Sequence, residues 1–188
     1  MTGKKPIESI SPVSRNRLEF LFDGIFAIAM TILVLELKVP ELSDRHSVAE
    51  MGKSLLHYGP SFLSYILSFS MLGMFWYKHN NYYQHFQQIT KSIFSLTLLQ
   101  LVAAAFFPFC AALLGRYPIN RLSIVIYIGC IMVYLWSCSL QWFLAKRQSI
   151  LIPQLTSVTY NRIRKGNLVG SIITTTMFLL YLLMALTS

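Results

Sequence analysis

Two polar side chains in an otherwise apolar run could do chemistry. The run is RLEFLFDGIFAIAMTILVLELKVP, Arg17 to Pro40, and the side chains are Asp23 and Thr31. A carboxylate and a hydroxyl are hard oxygen donors, suited to a passing cation or a proton relay. The plainer role for Asp23 is to hold this segment to its neighbours. Other reactive types are sparse. His46, His57, His79 and His85 contain no pair at HxxxH spacing, and neither His79 nor His85 has a carboxylate close by. Cys110, Cys130 and Cys138 are odd in number, lack metal-ligand spacing and sit in apolar runs, so they read as buried thiols. All seven carboxylates, Glu8, Glu19, Asp23, Glu36, Glu41, Asp44 and Glu50, lie in the first 50 residues. There is no Ser/His/Asp set and no glycine-rich phosphate loop. These residues argue against an enzyme, and no resident metal or cofactor is expected.

The elements that must position Asp23 and Thr31 are membrane helices. The chain of 188 residues is 55% hydrophobic and only 12% charged, against about 25% charged in an ordinary soluble domain. Ser54–Tyr77, Ser92–Gly115, Leu122–Ala145 and Gly166–Ser188 contain no Asp, Glu, Lys or Arg, and each exceeds the roughly 20 residues needed to cross hydrocarbon. Arg17–Lys38 makes a fifth span, stopped by Val39-Pro40. The expectation is one all-α transmembrane bundle over 1–188, with an N-terminal arm over 1–14 and no cleavable signal peptide. Pro60 opens the second span, and Pro108 should kink the third. GRYPINR, Gly115–Arg121, is a tight turn between antiparallel spans. MFWYKHNNYYQHF, Met74–Phe86, reads as an aromatic interface belt.

Net charge is +9, but the cations fall between spans. They orient the chain and meet lipid headgroups rather than nucleic acid. Lys4, Lys5, Arg15 and Arg17 place the N-terminus on the cytoplasmic side. Five spans leave the C-terminus outside, and a sixth would return it. Two segments compete for that role. Asp44–Tyr58 includes a short amphipathic pattern at Val48, Met51, Leu55 and Leu56; Ser149–Asn161 is apolar but broken by Pro153.

Reading Arg17–Leu37 as a helical wheel at 100° per residue puts Leu21, Gly24, Thr31, Ile32 and Leu35 within about 60° of Ile28. Asp23 falls about 140° away, on a side shared with Phe26 and Met30. A carboxylate in hydrocarbon turns toward a donor, and Arg17, Trp76 and His79 are the candidates. Gly24 would let a neighbouring helix come close.

The residues Arg17-x-x-x-Leu21-Phe22-Asp23-Gly24-Ile25-Phe26-Ala27-Ile28-Ala29-Met30-Thr31 resemble the first-helix signature of the transmembrane protein 175 family, in its short prokaryotic form. Leu33–Leu37 and the block Phe62–Asn80, ending in Trp76-x-x-His79, fit as well. One departure stands out: the family has Phe-Ser before the aspartate, and this chain has Leu21-Phe22. The resemblance implies a potassium-permeable cation channel with six helices per subunit, in a prokaryotic inner membrane. It implies a homotetramer with the first helix lining the pore. The narrowest apolar ring would fall on Ile28, the next two on Ile32 and Leu35, and the pore-facing hydroxyl on Thr31. Permeant potassium and membrane lipid are then the partners.

There is no TVGYG filter, so carbonyl caging is unavailable. Four Ile28 side chains would instead form a dewetting constriction that gates and selects, because potassium sheds water more readily than sodium. Glu36 and Glu41 would stand at the outer mouth, concentrating cations, or serve as ordinary interface charges. Rival readings are a proton-coupled transporter relaying through Asp23 and His79, and a non-conducting subunit.

Overall fold

The computed structural model describes residues 14–187, and the described residues are helical with short connections. The expected arm over 1–14 lies outside them except for Ser14. Helix α1, Arg15–Ile32, tightens into a 3-10 turn at Leu33–Glu36. Then follow α2 (Val48–His57), α3 (Gly59–Tyr83), α4 (Lys91–Arg116), α5 (Arg121–Arg147) and α6 (Ser157–Leu186). Side-chain caps define most starts: Ser47 for α2, Thr90 for α4, Asn120 for α5 and Thr156 for α6 each accept from a first-turn N–H. Pro60 sits in the first turn of α3, where its missing N–H leaves nothing unpaired.

Arg15–Glu36, α4, α5 and α6 are long and apolar enough to cross a membrane, so this is an integral membrane protein. Helix α3 is as long, with 25 residues, but carries more serine and tyrosine. Neither candidate for a sixth span becomes one among the described residues. Helix α2 has 10 residues, about 15 Å at 1.5 Å per residue, half a bilayer core. It buries no residue, and Val48 and Leu56 stay exposed. It is the amphipathic helix that its pattern suggests, at the end where α1 finishes.

Ser149–Asn161 does not form its own helix. Ser149 has positive φ, Pro153 lies in a turn, and α6 starts only at Ser157. The apolar residues are there for a different reason. Gln87 N–H donates to Ile150 O (2.8 Å) and Ile152 N–H to His85 O (3.0 Å), so the segment pairs with the α3–α4 connection. Ile150 is fully buried beneath it.

Helices α4 and α5 are joined by the short turn after Gly115 and pack antiparallel at the centre. Helix α1 packs mainly on α4, α3 lies on α1 and α4, and α6 packs on α5. Buried polar groups tie the layers. Gln100 Nε2 donates to Gln141 Oε1 (3.1 Å), and Gln141 Nε2 donates to Thr97 Oγ1 (2.9 Å). Ser68 and Tyr127 hydroxyls bond at 3.1 Å, and Tyr134 OH donates to Phe75 O (3.0 Å). Helix α4 continues unbroken through Pro108. Beyond the proline, Ser64 donates to Ala111 O (2.7 Å) and Ser61 to Gly115 O (3.2 Å), fastening α4 to α3. Gly115 is required there, because a Cβ would stand 3.0 Å from Ser61 Cα.

Candidate functional site

Helix α1 has two unlike faces, and the spacing of its apolar residues explains both. Leu18, Phe22, Phe26, Ala29 and Leu33 recur at intervals of three and four, and all are buried against α3 and α4. On the wheel they centre about 120° from Ile28. The other face has no partner among the described residues. It carries Leu21, Gly24, Ile28, Thr31, Ile32 and Leu35, with Ile28 59% and Leu35 75% exposed. A stripe this apolar, next to a completed core face, must meet lipid or another protein surface.

Two polar side chains and one glycine interrupt the stripe or border it. Thr31 Oγ1 donates back to Ala27 O (3.0 Å) and Ile28 O (2.9 Å). Its one hydrogen is thus used within the helix, and its lone pairs remain as acceptors. Asp23 is exposed and accepts from Trp76 Nε1 at 2.8 Å, which pins α1 to α3. Gly24 has nothing within 4 Å of where a Cβ would be. Any helix that Gly24 admits closely is therefore not one of the helices described here.

The three candidate donors for Asp23 separate. Trp76 makes the contact. Arg17 is exposed and makes no bond to Asp23. His79 points elsewhere: it is 2% exposed, stacked on Phe22 with ring centroids 3.3 Å apart and on Tyr83 at 3.9 Å. The expected belt over Met74–Phe86 is corrected accordingly. Trp76 and Tyr77 are exposed, but Phe75, His79, Tyr82, Tyr83 and Phe86 are buried core. At the position where the resembling signature has serine, Phe22 replaces a hydroxyl with a ring that closes on His79 and on Phe26 (4.4 Å). Sequence reasoning missed this clamp, although aromatic residues at i and i+4 were its visible sign.

The 3-10 turn changes the geometry at the end of α1. Each residue there advances about 120° rather than 100°, so by Glu36 the offset reaches about 80°. Leu35 then falls directly over Ile32, and the stripe continues. Glu36 leaves it. It lines a cavity of about 800 Å³ beside Lys38, His57, Tyr65 and Arg116, between the turn and the outer ends of α3 and α4. Glu41 is exposed in the connection to α2. Among the described residues no group of three or more His, Cys, Asp or Glu could hold a metal ion.

Helix α1, its clamp on α3 and most of α4 are also the part of the chain with a match among known families. Residues 17–108 match the family described as the endosomal/lysosomal potassium channel TMEM175. Over that segment the chain is similar to the TMEM175 family. A potassium channel of Chamaesiphon minutus is 33% identical over 129 residues, covering 65% of this chain and 62% of its own. The endosomal/lysosomal proton channel TMEM175 of Mus musculus is 28% identical over 136 residues, 68% of this chain but 27% of its own. The match thus spans less than two thirds of either relative's length. A crystal structure of a TMEM175 homologue from Chamaesiphon minutus, described as a lysosomal potassium-selective channel, superposes with TM-score 0.74 at 28% identity, over 90% of this chain and 87% of that one. The TMEM175 fold therefore extends through α5 and α6, beyond the matched segment.

Proposed function

We propose that this chain is one subunit of a homotetrameric, potassium-permeable cation channel whose pore is lined by α1. The observation that carries the reading is the unpartnered stripe Leu21–Gly24–Ile28–Thr31–Ile32–Leu35 on a helix whose opposite face is complete. Relatives named as potassium channels support it. Four stripes around one axis bring four Ile28 side chains into the narrowest layer, with Ile32 and Leu35 as further rings. Five long helices cross the membrane in each subunit, with the short α2 lying at the interface. The Ile28 ring excludes water when closed, so it serves as the gate. Partial dehydration there favours potassium over sodium, and the Thr31 oxygens accept the ion beyond it. Glu41 stands nearer the mouth, while Glu36 lies off axis. Asp23 and Trp76 hold the pore helix to α3, with Gly24 and Arg17 on the stripe's inner half. The membrane is a prokaryotic inner membrane, with the N-terminus cytoplasmic.

The test is ion flux from purified protein in liposomes under a potassium gradient, then a sodium gradient. Potassium flux should exceed sodium flux, and Ile28→Asn should raise leak and bring the two together. Currents unchanged by Ile28→Asn would remove this residue from the pore. Proton flux without potassium flux would replace the channel reading by the proton-conducting one.

A further inference from the structure

A second cavity has no α1 residue in its lining. It measures about 530 Å³ and opens between α4, α5 and α6. Its walls are mostly apolar, with Leu96, Leu99, Val133, Leu140, Phe143 and Leu168 contributing. This volume is in the range of sites that bury small ligands.

The polar residues in it are unusual in kind. Asn167 and Trp142 line the cavity and are each 1% exposed. Asn167 Oδ1 accepts from Tyr82 OH, but its Nδ2 has no partner, and neither has Trp142 Nε1. Two buried donors without acceptors are costly, and native interiors seldom leave them so. Arg164 adds a third donor at the same cavity. Lys146 Nζ sits 4.3 Å over the Tyr160 ring, which itself stacks on Trp142 at 5.6 Å. Ser137 and Ser139 also line the cavity, but their hydroxyls already bond Tyr134 O and the Ser171 hydroxyl, so the unpartnered polar atoms left at the site are donors, beside positive charge and an apolar wall.

The setting supplies the matching ligand. Arg15 Nη1 donates to Phe86 O (3.1 Å), so α1 begins at the same end of the bundle as this cavity. Lys91, Lys146, Arg147, Arg162, Arg164 and Lys165 cluster at that end, and no carboxylate follows Glu50 in the chain. Among the described residues the one ion pair is Arg15–Glu19, so these cations have no acidic counterpart there. Basic clefts between membrane helices take anionic headgroups.

We infer that the α4–α5–α6 cavity is a binding site for an anionic glycerophospholipid. One acyl chain lies along Leu96, Leu99 and Leu168. The phosphate meets Arg164, and the glycerol ester oxygens accept from Asn167 Nδ2 and Trp142 Nε1. The acyl wall commits the site to lipid rather than to free phosphate.

The experiment is native mass spectrometry of the purified full chain in detergent, titrated with dioleoylphosphatidylglycerol and separately with dioleoylphosphatidylcholine. Phosphatidylglycerol should be retained at one per subunit and phosphatidylcholine should not. Arg164→Gln should weaken retention about tenfold, the loss expected for one charge-assisted hydrogen bond. Trp142→Phe keeps the packing and Asn167→Asp keeps the acceptor for Tyr82, and both should also weaken it. Arg162→Gln, one charge outside the cavity, should leave it intact. Equal retention of both lipids would overturn the inference, as would equal losses from Arg162→Gln and Arg164→Gln. So would displacement by soluble glycerol phosphate. The readout needs no ion flux, so it stands or falls apart from the channel reading.

Discussion

The bond between Trp76 and Asp23 is the one direct polar tie between α1 and α3, and it gives the sharpest test of what the carboxylate is for. Trp76 Nε1 donates to Asp23 Oδ1 at 2.8 Å. A hydrogen bond to a charged group is worth about 1.5–3 kcal/mol. Trp76 is 41% exposed and Asp23 is exposed too, so competition from the surroundings places the value below that range, near about 1 kcal/mol. Trp76→Phe removes the donor and keeps most of the ring, and Asp23→Ala removes the acceptor. In a double-mutant cycle read by reversible denaturant unfolding in mixed micelles, the two should couple by about 1 kcal/mol, clear of the roughly 0.3–0.5 kcal/mol scatter of independent sites. Asp23→Asn separates the two roles. Its amide oxygen still accepts from the indole, so stability should be largely kept and ion flux should follow it. Additive single mutants would refute the pinning role. Full stability with lost flux in Asp23→Asn would show that the charge itself is needed.

Two further outcomes test the packing. Gly115→Ala should destabilise the fold by about 1–3 kcal/mol, because the new methyl meets the Ser61 backbone at 3.0 Å and α3 must part from α4. Gly24→Ala, with open space around it, should leave unfolding of the subunit unchanged. At the other end of α2, Glu50 accepts from the Ser43 and Asp44 N–H groups at 2.8 and 3.1 Å, which lowers its pKa. A lowered folded-state value means that this support is present above the unfolded carboxylate value and lost as pH falls through the lower one. Hydrogen-exchange protection factors at the α2 amides, taken relative to the intrinsic rate at each pH, should fall on acidification through that window, and Glu50→Gln should abolish the step.

The helices were legible because their signals are local. Charge-free runs, Pro60 and the Gly115–Arg121 turn lie in the sequence where the structure uses them, whereas α4 runs unbroken through Pro108, where a kink is expected. The two faces of α1 were legible for the same reason, since one helix's periodicity needs no knowledge of its neighbours. What escaped depends on partners far along the chain. Ser149–Asn161 is apolar because it pairs with residues 85–87 and covers Ile150, and a local window reads the same apolarity as a membrane segment. His79 looked like an interface residue beside Lys78, yet Phe22, 57 positions away, takes it into the core. Glu36 was misplaced by a smaller effect, a change of helical pitch over four residues that composition does not announce.

The last helix has a consequence for how the chain is made. Thr174, Thr175, Thr176 and Thr187 each donate a hydroxyl to a carbonyl of α6 itself, three or four residues back. The helix leaves little for outside partners to satisfy. Its backbone packs on α5 alone, with Asn167 to Tyr82 as its reach to α3. A segment so self-sufficient can stand as a helix in the bilayer before it docks, while the other helices sort their buried hydroxyls and amides among themselves. Its docking onto α5 then completes the cavity wall without reopening the core.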